Sequence, residues 1–409
     1  GLLPLPGRRG RENTGGSPHG AGRGRPRPSA RSSSGSARFL QVGSGGARAV
    51  PVHPPGHGPA HEGEQFLRQL PLVRPLRRQQ LVEPVPPARP ARGRGLVHAG
   101  VLQHPRPGED RATGVDDAVA IMLLNKLPQI DPVALTTVAG NVQLEKTTRN
   151  SLAVLELIGA DIPVYKGAAV PLVREQVIAT YVHGEDGLAG ITLPCTRMPV
   201  PGIAAWDAIY QQALIHQGSL EIIAIGPLTN LALAFIKYND LAGLIKRIVI
   251  MGGSTSHGNV TPAAEFNIFA DPEAADIVVN SGVPVHMCGL DVTMQAYLLP
   301  SEVDQIGALG TQPARFFHSV VQKVQGFSMQ HGLPGMCFHD PVSMLYAADP
   351  SIFTAYPVGI RIETQGILTK GKTVTDLLSD AKWEKNGFIV TDLNREAFRQ
   401  KIFDLMAQY

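Results

Sequence analysis

The first 108 of the 409 residues contain no Lys, Asp, Ile, Tyr, Cys, Met or Trp. A chain of that composition cannot bury enough apolar surface to offset its conformational entropy, so a packed domain is excluded there and disorder is expected. The segment holds 17 of the 34 prolines and 19 of the 44 glycines, with 17 Arg against 4 Glu. Its net charge is +13 and that of residues 109–409 is −10, so the overall value of +3 describes neither part. Cysteine is scarce: Cys195, Cys288 and Cys337 lie far apart, which excludes a disulfide framework and cysteine-based metal spacing. A reducing compartment, the cytoplasm, is the expected location. No apolar run approaches the roughly 18 residues a membrane span requires, so no membrane partner is expected.

Three readings compete for residues 1–108. An Arg/Gly/Pro arm for nucleic acid would carry Lys and interleaved aromatics, which are missing, so no nucleic-acid partner is expected. A transit peptide would be shorter and amphipathic. A GC-rich untranslated or out-of-frame stretch accounts for the missing Lys, Ile, Tyr and Met, whose codons are AT-rich. The initial Gly fits it, and it is the preferred reading.

From residue 109 the composition becomes that of one α/β domain with a sizeable core. Short apolar runs occur at "VALTTVAG" (133–140), "EIIAIG" (221–226), "RIVIMGG" (247–253) and "VPVHMCGL" (283–290). Helical patterns separate them: "DDAVAIMLLNKL", "KTTRNSLAVLELIG", "WDAIYQQALIHQG" and "DPEAADIVVNSG". Strands apolar on both faces, alternating with helices, predict a doubly wound, mostly parallel central sheet flanked by helices. The C-terminal "NGFIVTDLNREAFRQKIFDLMAQY" reads as a last strand and a helix.

Such sheets bind ligands beyond the carboxyl ends of their strands. There the sequence places Asn141, then "GPLTN" with Thr229 and Asn230, then "MGGSTSHGN". Glycine with amides and hydroxyls suits a polyhydroxylated ligand, although the same residues also make ordinary turns. Asp116 and Asp117 open a helix, where a single acid would satisfy the dipole. Two adjacent carboxylates point in different directions, so one can hold a hard cation while the other meets a hydroxyl. Asp117, a carbonyl near Thr229 and Asp340 are candidate ligands for Ca²⁺. His339 beside Asp340 combines ligation with proton transfer near neutral pH. In "AAEFNIFADPEAAD" (263–276), Glu265 and Asn267 would share one face of an extended segment, suited to vicinal hydroxyls; half-buried strand alternation is the competing reading. "VHGEDGLAG" (182–190), with His183, is a surface loop that can close over a site.

In this order the stretches "GVDDAVAIMLL", "TTVAGNVQLEKTTRNSLAVLELIG", "PVYKGAAVPL", "HGEDGLAG", "IIAIGPLTNLALA", "IVIMGGSTSHGNVTPAAEFNIFADPEAA" and "FHDPVSMLY" resemble the nucleoside hydrolases that prefer inosine and uridine. The resemblance runs from about residue 113 to the C-terminus. It implies Ca²⁺-assisted hydrolysis of ribonucleosides to ribose and free base through an oxocarbenium-like transition state, within nucleoside catabolism and salvage. It implies that Asp117, Asp340 and the Thr229 carbonyl hold Ca²⁺, which orients and acidifies water. Asp116, Asn259, Glu265, Asn267 and Asp340 would grip ribose, with Asn141 beside the metal and water. Met251 would pack against the sugar, and His183 and Phe266 would line the pocket. His339 would help protonate the leaving base. The purine-specific branch uses tryptophans that have no counterpart here, since Trp206 and Trp383 fall elsewhere. A homodimer or homotetramer is the implied assembly.

One departure stands out. Ala112 falls where the family pattern has an Asp that ligates Ca²⁺ and takes a proton from water. The preceding "LQHPRPGE" carries two prolines and charge, which forbid a buried central strand. The sequence therefore predicts a hydrolase domain over 109–409 without a normal first strand, following a disordered 1–108. A reading frame displaced before about residue 113 explains both absences. If Ala112 is authentic, the alternative is a nucleoside-binding pseudoenzyme.

Overall fold

Strands that are apolar on both faces need helices above and below them, and this chain supplies both layers. The structure, a computed structural model, describes residues 93–99, 115–140, 142–177, 187–330 and 332–409; for 93–99 and Phe327 only the backbone is described. The strands are β1 (Gly93–Ala99), β2 (Ile130–Thr137), β3 (Val164–Lys166), β4 (Leu220–Ala224), β5 (Ile245–Met251), β6 (Val285–Cys288), β7 (Tyr297–Leu298), β8 (Met336–Cys337), β9 (Phe353–Val358), β10 (Ile360–Ile362), β11 (Thr373–Thr375) and β12 (Gly387–Leu393). The helices are α1 (Val115–Leu124), α2 (Leu144–Leu157), α3 (Ala205–His216), α4 (Thr229–Lys237), α5 (Phe266–Ala270), α6 (Pro272–Val279), α7 (Leu290–Thr293), α8 (Pro300–Gly307), α9 (Gln312–Gln330), α10 (His339–Ala348) and α11 (Arg395–Met406).

The main sheet has the order β3-β2-β1-β4-β5-β6-β12-β9. All of its pairings are parallel except that of β9 with β12. The order runs one way from β1 to β3 and the other way from β4 to β6, which creates a crevice at the β1/β4 switch point. Side-chain alternation sorts the core. Ile223, Ile225, Val249 and Met251 join the layer that contains α1 and α10. Leu220, Ile222, Ala224, Ile248 and Ile250 join the layer that contains α3, α4 and α6. Every residue of α1 is buried, its two acids included, so it is a core helix.

The expectation of a domain lacking its first strand needs correction. Residues 93–99 pair in parallel with β2 on one side and β4 on the other. Without an element there, β2 and β4 would present facing, unpaired edges. "GRGLVHA" has no proline and no acid to prevent pairing. The strand is expected directly before the acidic turn, whereas the chain takes it from further upstream. The folded region thus begins before residue 109, and the part of 1–108 ahead of residue 93 lies outside the described residues, as does Ala112.

Candidate functional site

Asp116 occupies the first turn of α1, which lies against α10. Its Oδ2 accepts hydrogen bonds from the backbone N–H groups of His339 (2.7 Å) and Asp340 (3.0 Å), the first two residues of α10. A carboxylate from one helix therefore caps another helix whose own N-cap residue, Phe338, has no side-chain acceptor. Asp116 Oδ1 is buried and has no hydrogen-bond partner among the described residues. Burial pushes this carboxyl up to about 7, against the lowering effect of the two N–H donors.

Asp340 is fully buried, and among the described residues neither of its carboxylate oxygens has a hydrogen-bond partner. Burial and then the charges of Asp117, Asp116 and Glu265 raise it well above the usual carboxylate range. Beside it, His339 Nδ1 lies 2.8 Å from Thr293 Oγ1, with both residues buried.

Glu265 and Asn267 take a different form from the extended segment expected. Glu265 is the N-cap of the short helix α5, and its carboxylate accepts from Asn267 N (2.9 Å) and Ile268 N (3.2 Å). A glutamate able to satisfy two free N–H groups favours a helical turn over strand alternation. Gly253 N adds a third bond at 2.9 Å. That N–H reaches Glu265 because Gly253 has φ +76°, and a Cβ there would run into Thr373 and Met287. Burial pushes Glu265 up to about 7 despite these donors. The Asn267 amide donates to Met251 O (3.1 Å), Ile225 O (3.3 Å) and Met251 Sδ (3.6 Å). It thus spans the carboxyl ends of β4 and β5, while its buried Oδ1 has no hydrogen-bond partner among the described residues.

The other expected residues divide. Asn259 Oδ1 accepts from Phe266 N at 2.9 Å, which joins the "HGN" loop to α5. Phe266 is fully buried and packs with Ala270 and Val260. Met251 is buried at the end of β5. Thr229 opens α4, but its hydroxyl is turned to Asp271 Oδ2 (2.7 Å). Asn141 and His183 lie outside the described residues. Asp271 was not singled out from sequence; it also accepts from Leu172 N (2.9 Å) and from Ala274 N (3.1 Å) as the N-cap of α6. The Asp-Pro pair at 271–272 was the available signal. Thr293 was missed as well, because a single Thr in "LDVTMQ" has no spacing that marks it.

Among the described residues, no three Asp, Glu, His or Cys side chains are arranged to hold a metal ion. The expected ligand set asks for only two carboxylates and a backbone carbonyl. Buried oxygens of Asp340 and Asp116 that lack hydrogen bonds, with further negative charge close by, are the donor chemistry of a hard divalent cation. The residues present fit such an ion.

A cavity of about 450 Å³ lies elsewhere, lined by Gly282, Pro284, Arg361, Trp383 and Asn386 among others. It sits at the amino ends of β6 and β12, the opposite edge of the sheet from the carboxylates. Trp383 there is covered by the Arg361 guanidinium, 4.3 Å from the ring centroid.

Residues 110–400 match the model of the inosine-uridine preferring nucleoside hydrolases. The chain is 42% identical over 299 residues to the non-specific ribonucleoside hydrolase RihC of Shigella flexneri, covering 73% of this chain and 97% of that protein. It is 41% identical over 302 residues to the pyrimidine-specific ribonucleoside hydrolase RihA of Shewanella oneidensis, covering 72% and 94%. Among solved structures it is similar to the plant nucleoside hydrolase PpNRh1, with a TM-score of 0.71, 29% identity, and coverage of 78% of this chain and 100% of that one.

Proposed function

The chain belongs to the inosine-uridine preferring nucleoside hydrolase family, and on that premise we propose that it hydrolyses the N-glycosidic bond of ribonucleosides to ribose and free base. The observation that carries this reading is the group of buried oxygens on Asp116, Asp340 and Asn267 without hydrogen-bond partners among the described residues, close to the carboxyl ends of the central strands. Leaving such atoms dry costs about 1–3 kcal/mol each, more for charged groups, unless a ligand satisfies them. Ribose hydroxyls can do so.

Asp116 uses Oδ2 to hold α10 and keeps Oδ1 for a sugar hydroxyl. Asn267, its amide fixed by two carbonyls, directs Oδ1 at a second hydroxyl. Glu265, Asn259 and Asp340 complete the grip, Met251 backs the sugar, and Phe266 packs behind it. Asn141 and His183 are assigned to the water and the base. Carboxylates around the ring favour the positive charge that develops as the C–N bond breaks and its electron pair leaves with the base. His339 supplies a proton to that base.

Asp117, Asp340 and the Thr229 carbonyl would hold Ca²⁺. A bound Ca²⁺ ion supplies Lewis-acid activation and orientation of water. A cytoplasmic homodimer or homotetramer belongs to the same reading.

The test is release of base from inosine and uridine by the purified chain, with Ca²⁺ and with a chelator, beside an Ala112→Asp variant. Ca²⁺-dependent release by the chain, or by the variant alone, supports hydrolysis. A chain that binds nucleoside while neither protein releases base would establish the pseudoenzyme instead, a reading favoured by Ala112 at the position of the expected proton acceptor.

A further inference from the structure

We propose that Thr293 is a positioning residue that sets the tautomer and ring orientation of His339 for proton delivery to the leaving base. The proposal rests on the assignment of His339 as the proton donor. An imidazole used in this way must be fixed twice, once at the main chain and once at the ring. The main chain of His339 is tied to Asp116 Oδ2 at 2.7 Å, and its ring Nδ1 to Thr293 Oγ1 at 2.8 Å.

Thr293 is itself well anchored. It is 0% exposed and closes the single turn of α7, with its N–H on Gly289 O at 3.0 Å. That turn is bound to the end of β5 through Leu290 N on Gly253 O at 2.9 Å. Two residues on, Gln295 Nε2 donates to Thr391 O of β12 at 2.9 Å. The hydroxyl is therefore presented to the imidazole from a frame tied to two strands of the sheet.

The direction of this hydrogen bond follows from the chemistry. A ring that gives up its Nε2 proton must keep the other on Nδ1. A hydroxyl oxygen accepts from Nδ1–H both before and after transfer. If Thr293 donated instead, transfer would leave an imidazolate anion among buried carboxylates. In the step itself the Nε2–H bond of the imidazolium breaks, the departing base gains that proton as it keeps the C–N electron pair, and the ring becomes neutral with Nδ1–H still on Thr293. Solvent then restores the proton at Nε2.

The test compares Thr293→Val and Thr293→Ser with the unaltered chain on two substrates. Inosine needs a proton on its leaving group, whereas 4-nitrophenyl β-D-ribofuranoside expels a stable anion and does not. General acid catalysis is worth about 10²–10⁴-fold, and loss of its positioning should remove about tenfold or more. Thr293→Val is expected to lose that factor in kcat on inosine with little change in KM, to change less than about twofold on the nitrophenyl riboside, and to be rescued by Thr293→Ser. Equal losses on both substrates, or no loss on inosine, would overturn the proposal. A second readout is ¹⁵N NMR of His339, which should report Nδ1–H in the unaltered chain and lose that preference in Thr293→Val. An unchanged tautomer overturns the role of Thr293. If only the Ala112→Asp variant cleaves, the Thr293 substitutions are compared in that variant; if neither protein cleaves either substrate, the hydrolase reading fails and the NMR result alone decides this one.

Discussion

His286 shows how burial sets chemistry at a single residue away from the site. Its Nδ1 lies 2.9 Å from the Tyr346 hydroxyl and its ring stacks on Phe388 with centroids 4.5 Å apart. Burial, assisted by the charge of Arg247, lowers it to about 3, so the folded protein keeps it neutral. The unfolded chain binds a proton there near pH 6.5, so this contribution to stability is present above 6.5 and is lost as pH falls towards 3. The gap between urea midpoints at pH 7 and pH 4.5 should therefore narrow in His286→Gln; an equal gap would show that His286 does not drive acid sensitivity. Gly167 makes a steric point of the same size. A Cβ there would overlap the Asn230 side chain, whose Oδ1 accepts from Ala168 N (2.8 Å) and whose Nδ2 donates to Thr137 O (2.9 Å). Gly167→Ala should cost about 1–3 kcal/mol, read by denaturant unfolding, as overpacking does elsewhere.

Elements differ in how far the sequence reveals them. Strands β4, β5 and β6 were legible because continuous apolar runs bounded by Gly announce buried parallel strands. Helix α5 was not, because Glu265, Phe266, Asn267 and Ile268 alternate like a strand, and the capping role of Glu265 becomes visible only with the fold. Strand β1 was hidden for the opposite reason: its place is fixed by the two strands that flank it, and its own pattern is weak. At the site, Asp116, Asp340, Glu265 and Asn267 could be read from motif and spacing, but Thr293 and Asp271 act through partners distant in sequence. Asp271 ties together α4, α6 and the segment at Leu172. Asp271→Ala should cost about 0.5–2 kcal/mol through the lost cap, and a calorimetric scan that left Tm unchanged would contradict this.

At the scale of the molecule, the eight-stranded sheet depends on an element at the start of the domain. Removing residues 1–92 keeps β1 and should leave a cooperatively folding protein, whereas removing 1–99 exposes the facing edges of β2 and β4. The shorter product should lose cooperative unfolding by circular dichroism and aggregate; equal stability of the two would mean that residues 93–99 are dispensable. The cap that Asp116 places on α10 spans 223 residues of chain. A ribosome adding about 5–20 residues per second needs roughly 10–45 s to cover that distance. Throughout that interval a growing chain holds the carboxylate without the helix it caps, so the contact between α1 and α10 cannot form until nearly the whole polypeptide has been synthesised.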